Sequence, residues 1–202
     1  MKILKWTLRI IFWLLVIAVL HYTLPQHDIA RVTDTYEKRI DPGENRWFWA
    51  QADVGTDGSL PNRDVFFIQT QRRDGSTMVY RNEDTGWGWP PYFKFDTANL
   101  QAEAADMKSA ADNPRWVAIR HYGWRNQFLT IFPNAVGMKQ VEGPEVVIIP
   151  WMNIAILVVL FAAWWAVRVR WNRWWDARVD PILDEAGDRL ESGGNRIKGL
   201  FR

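Results

Sequence analysis

The chain has 202 residues, 48% of them hydrophobic, with a mean hydropathy of −0.25, a formal net charge of +2 and no cysteine. That length fits one domain or slightly more, and the missing cysteine excludes disulfides, thiol catalysis and thiolate metal sites. The basic balance is local, which removes the nucleic-acid reading: residues 25–150 carry 14 Lys/Arg against 17 Asp/Glu, a net −3, while the excess positive charge sits beside two long apolar runs.

The first run, Trp6 to Leu24, has Lys2 and Lys5 before it and Arg9 near its start, and no acid occurs among the first nine residues. A membrane span needs about 20 mostly apolar residues. About 15 follow Arg9, so the helix extends upstream and Arg9 and Lys5 snorkel to the headgroups. A cleaved signal peptide has the same outline. The exit Val19-Leu20-His21-Tyr22-Thr23-Leu24-Pro25 offers no pair of small residues for cleavage, and the sequence predicts a retained transmembrane helix over residues 1–24.

Residues 25–149 are predicted to form a β-rich domain. Ile29–Tyr36 alternates and is rich in β-branched residues, so it reads as a strand closed by a turn at Asp41-Pro42-Gly43. Trp47–Ala50 is a short strand candidate, and Asp57-Gly58 and Pro61-Asn62 are turn signals. Strands at Asp64–Thr70 and Thr77–Arg81 flank Arg73-Asp74-Gly75-Ser76 as a hairpin. Thr85–Tyr92 is a rigid aromatic loop, after which Asp96-Thr97 caps a short helix, Ala98–Ser109, ended by Asn113-Pro114. Strands at Arg115–Tyr122 and Phe128–Phe132 follow, and an extended piece, Val136–Val141, leads to Gly143-Pro144.

The second run, Trp151–Val167, gives a transmembrane helix over residues 150–168, followed at once by Arg168, Arg170, Arg173 and Arg178. Trp151, Trp164, Trp165, Trp171, Trp174 and Trp175 have the placing of an interfacial aromatic belt. Residues 169–202 form a basic, amphipathic tail, with a helix predicted from Asp180 and Pro181 through Leu190. Because the positive flanks lie outside both spans, both termini are expected in the cytoplasm and the central domain beyond the membrane.

The fold class is therefore α+β, two transmembrane helices flanking an extracytoplasmic β-rich domain. The order of strand, strand pair, helix and strand pair matches a five-stranded OB-like barrel. A generic antiparallel sandwich with one helix fits the same order.

No catalytic constellation emerges. The three histidines, His21, His27 and His121, do not supply converging metal ligands, and no nucleophile elbow, phosphate loop or dinucleotide fingerprint is present. No metal, cofactor or enzyme activity is expected. Aromatic rings mixed with arginine fall in two stretches, Tyr80–Tyr92 and Arg120–Arg125. As a binding surface they would use Arg81, Trp87, Trp89, His121, Trp124 and Arg125, stacking on a glycan, a peptide or another protein. The same tryptophans would equally cap a barrel or rest on the membrane surface.

The runs Tyr80–Asp96, Asn99–Met107 and Arg120–Val136, with HYTLPQHDI at the first span's exit, resemble the DUF1523 family of alphaproteobacterial membrane proteins. That resemblance implies a Gram-negative inner membrane and hence a periplasmic central domain, but no activity, cofactor or catalytic residue. The expected function is that of an accessory or interaction protein of the cell envelope, its partners being the lipid bilayer and an envelope or membrane protein. A periplasmic glycan- or peptide-binding module is the alternative.

Overall fold

Lys2–Thr23 forms helix α1, 22 residues of mostly Leu, Ile, Val and Trp without Gly or Pro, about 33 Å long at 1.5 Å per residue. Its two threonine hydroxyls turn back on their own helix, Thr7 Oγ1 donating to Ile3 O at 3.0 Å and Thr23 Oγ1 to Val19 O at 2.8 Å. Pro25, which cannot extend a helix, marks the change to extended backbone. The computed structural model describes residues 2–40, 63–179 and 181. The chain divides into two compact units, Met1–Pro150 and Trp151–Arg202.

The first unit continues with β1 (Gln26–Ile40), β2 (Arg63–Arg72), β3 (Thr77–Asn82), helix α2 (Thr97–Asp106), β4 (Trp116–Tyr122) and β5 (Asn134–Val141). The strands close a barrel in the order β1-β2-β3-β5-β4. Closure depends on β1, whose 15 residues serve two neighbours: Gln26–Arg31 pairs with β4 and Ala30–Ile40 with β2. An irregularity between Val32 and Asp34 bends the strand between these duties, and Thr33 Oγ1 donates to Gln69 O at 3.1 Å across it. One parallel contact, Arg81 with Asn134, joins β3 to β5; every other pair is antiparallel. This is the OB-type order, with the helix between the third and fourth strands; the sandwich alternative is set aside.

Helix α2 plugs the barrel. Asp96 caps it by accepting from Asn99 N at 2.9 Å, and Leu100 and Ala104 join Ala30, Val32, Ile68, Tyr80, Val117, Ile119 and Ala135 in the core. A second cluster lies around Val65 and Phe67, with Tyr36 stacked on Phe67 at 5.3 Å and Phe132 edge-on at 5.2 Å.

Two boundaries differ from expectation. The strand expected at Phe128–Phe132 is instead a loop, and β5 begins after Pro133. Arg125 decides this, since its Nη1 donates to both Asn126 O and Ile131 O at 2.9 Å while its guanidinium lies 4.3 Å over the Phe132 ring. Asn126 and Ile131 pair with each other in this closed loop. The second apolar helix, α3, runs Trp151–Arg178, beyond Val167. The strand expected at Trp47–Ala50, the turns between Asp41 and Asn62, and the helix expected through Leu190 lie outside the described residues.

Both α1 and α3 are long and apolar enough to cross a membrane: Ile3–Thr23 has a mean hydropathy of 2.2 and Trp151–Arg178 of 2.0 in their most apolar windows, with none of either window buried. In α3 the apolar stretch gives way to alternating Trp and Arg, and Arg168 lies 5.7 Å over the Trp164 ring.

Candidate functional site

The six residues singled out in the sequence do not share one surface. Arg81 and His121 are enclosed, 2% and 4% exposed, His121 beside the core residue Tyr80 and Arg81 on the opposite sheet face, paired with Phe67. Trp87 and Trp89 are the opposite, 84% and 74% exposed. Trp124 and Arg125 lie between these extremes and are committed to local contacts.

The buried pair anchors two polar networks. In the first, Arg81 Nη1 meets Glu83 Oε2 at 3.0 Å with both side chains almost fully enclosed. Beside it Asn134 links strand ends, accepting from Glu83 N and donating to Glu83 O, each at 3.0 Å, and reaching Tyr122 OH at 3.2 Å. Lys94 Nζ enters the same region and donates to Asn82 Oδ1, Glu83 O and Ala135 O. Burial pushes the Lys94 ammonium down to about 8, against the opposing pull of Asp84 and Glu83.

In the second network Asp28 collects donors. Arg72 Nη2 lies 2.7 Å from its Oδ2, Tyr80 OH donates to the same oxygen, and His121 Nε2 stands at 3.2 Å. Burial alone would raise the Asp28 pKa, but the hydrogen bonds from His121, Tyr80 and Arg72 outweigh it and hold the carboxyl well below its usual range. Among the described residues no cluster of three or more His, Asp or Glu is arranged to hold a metal ion.

Two surfaces remain. One is the barrel end where α1 joins. Tyr92 stacks on Tyr122 at 4.6 Å and donates its hydroxyl to Thr23 O at 2.5 Å. Gly123 N donates to Tyr22 O at 2.9 Å, and Trp124 Nε1 donates to His21 Nδ1 at 2.9 Å. Gly123 has φ +92, a left-handed backbone that favours glycine, while a Cβ there would stand in ordinary contact with Pro133 Cα and the Tyr22 ring at 3.6 Å. Beyond these contacts Trp87 packs on Phe93 and Phe95, each at 5.5 Å, with its own outer side bare.

The other surface is an open groove of about 920 Å³ along β4 and β5. Ala118, Met138, Val141, Val146 and Ile148 give it apolar walls, and His27, Arg120 and Lys139 line it together with one acid, Glu142. Arg120 folds over Gly137, whose missing side chain leaves room for the guanidinium, 3.4 Å from where a Cβ would stand. Burial, with Arg120 and His121 nearby, lowers the His27 pKa, leaving Arg120 and Lys139 as the cations of the groove at neutral pH. Nothing in the sequence pattern marked this groove, because the run Val146–Ile149 that borders it reads as the approach to the second apolar helix.

Residues 1–175 match the family described as a protein of unknown function, DUF1523. The chain belongs to the DUF1523 family. A relative from Haemophilus influenzae, described as an uncharacterized protein, is 36% identical over 167 residues, covering 79% of this chain and 91% of the relative. The family match therefore spans α1, the whole barrel and most of α3. No solved structure matches this DUF1523 chain.

Proposed function

We propose that this DUF1523 protein is an inner-membrane accessory protein of the cell envelope, whose periplasmic barrel docks another envelope protein. Its two apolar helices anchor it, and the positive flanks outside both of them put the termini in the cytoplasm. The observation that carries the docking role is the division of polar groups. Arg81, Arg72 and Lys94 of the barrel are paired internally, while the groove along β4 and β5 offers apolar walls with Arg120 and Lys139 beside the single acid Glu142. A surface of that composition fits an extended, acidic-apolar segment of a partner laid beside the sheet.

A photo-crosslinking amino acid at Lys139 or Val147 in living cells tests this. Val147 is 86% exposed and borders the groove-lining residues. The expected result is one discrete adduct at both positions, absent when the probe stands at Ser76 on the far hairpin and lost with Arg120→Glu. Adducts with lipid alone, or none, would defeat the proposal, as would purification in mild detergent that returned only this chain.

The exposure of Trp87 and Trp89 favours a second reading, a module that stacks glycan or peptide on those rings. Of the six residues first grouped for that role, Arg81 and His121 are enclosed, so the stacking would rest on the tryptophans alone. A change in Trp fluorescence on adding envelope glycans to the full chain in detergent would support it, provided that it vanished in Trp87→Ala with Trp89→Ala.

A further inference from the structure

The end of the barrel that carries Trp87 and Trp89 is uncharged as well as aromatic. Thr85–Phe93 contains no charged residue, and neither does Asn126–Met138. These stretches present Trp87, Trp89, Phe93, Phe128 and Leu129, with Phe128 100% and Trp87 84% exposed. In a fully aqueous setting such a cluster is costly, because apolar surface left wet is unfavourable.

The position of these loops gives the cluster a meaning. The first is bonded to the last turn of α1 through Tyr92 OH to Thr23 O, and the second is held three residues before its start, where Gly123 N donates to Tyr22 O. Trp124 adds a third tie, to His21. The register agrees: β1 leaves the helix at Gln26 and is paired there with His121, next to the start of the second loop. If α1 spans, its last turn lies at the headgroup level, and loops fastened to that turn stand at the same level. Indole and phenyl rings without accompanying charge are the groups that partition there, the ring in the acyl boundary and the indole N–H toward water.

The geometry points to a second membrane contact: the two loops Thr85–Phe93 and Asn126–Ile131 dip into the outer leaflet beside α1, so that the barrel rests on the bilayer and does not swing from a tether. The contact is with lipid, because the surface is continuous with the lipid-facing helix and carries no charge for a polar partner to pair. Docking fixes the barrel's tilt and leaves the β4–β5 groove for other contacts. The inference rests on the membrane reading proposed above.

The absence of cysteine gives a clean test. Single cysteines replacing Trp87, Phe128, Leu14 and Ser76 would carry an environment-sensitive fluorophore in the full chain, reconstituted in vesicles of phosphatidylethanolamine and phosphatidylglycerol. The expected result is quenching by lipid-borne nitroxide at 14, 87 and 128, with iodide quenching several-fold weaker there than at 76. Water-like labels at 87 or 128 with a lipid-quenched label at 14 would overturn the inference and spare the membrane reading. A water-like label at 14 would overturn both. Labels at 87 or 128 shielded from iodide yet untouched by lipid nitroxide would show a protein cover and would also overturn it. Since positions 87 and 128 are exposed, these replacements remove no core contact.

Discussion

At the scale of single residues, the same class of side chain has opposite duties according to where the barrel places it. Arg81 is enclosed against Glu83, and breaking such a pair leaves a buried charge unmatched. Arg81→Ala should therefore cost about 3–5 kcal/mol of stability, whereas Trp87→Ala, at an 84% exposed position, should stay within about 0.5 kcal/mol. Denaturant midpoints of the full chain in detergent, followed by near-UV circular dichroism, check the contrast. Lys94 supplies a pH signature. Its folded pKa is lowered to about 8 by burial, below the ordinary value of about 10.4. Between those values the unfolded chain binds more protons, so stability should rise as pH goes from about 8 to about 10. Lys94→Met should abolish that rise. Asp28 has the same sign in the acid range: its folded pKa is depressed, so its contribution is complete above the unfolded value near 4 and is lost as pH falls further toward the folded one. Thermal melts at about pH 6 and about pH 3 should differ less in Asp28→Asn than in the unaltered chain.

At the scale of elements, local signals located most of the barrel. Alternation and the Asp74-Gly75 turn marked β2 and β3, and the Asp96 cap marked α2 within a residue or two of its start. Asp96→Ala should cost about 1 kcal/mol, read as a lower unfolding midpoint. The strand expected at Phe128–Phe132 failed because of a side-chain contact that alternation does not encode: Arg125 gathers the carbonyls of Asn126 and Ile131 and covers Phe132. The apolar alternation of that segment serves a loop, with only Ile131 and Phe132 turned inward. Gly123 joins this loop to the helix end, and Gly123→Ala should cost about 1–2 kcal/mol through its left-handed backbone. Its loss should also free the Trp124 ring from Tyr22, now at 5.3 Å, giving Trp124 a weaker near-UV signal.

At the scale of the whole molecule, the central proposition is one barrel fastened at one end to a helix able to cross a membrane. Topology is the prediction that belongs here. A reporter active only in the cytoplasm should work when fused after Arg202, and one active only after export should work when inserted at Ser76. The reverse pattern would remove the proposed periplasmic setting. The groove and the aromatic end lie on different parts of the barrel, the first along β4 and β5 and the second at the α1 junction, so protein docking and lipid contact do not compete for one surface.

The sequence by itself determined the two apolar helices, the β-rich middle and the strand-helix-strand order, because these follow from patterns only a few residues wide: uncharged runs, period-two alternation, turn dipeptides and caps. It determined too which residue types were at hand for a site. Only the tertiary structure decided that Arg81 and His121 are enclosed while Trp87 and Trp89 are exposed, that β1 bends to close the barrel, and that His27, Arg120 and Lys139 come together in a groove. Those outcomes depend on which strands pair and which side chains the closed wall encloses, and neither is encoded within the span of a single element.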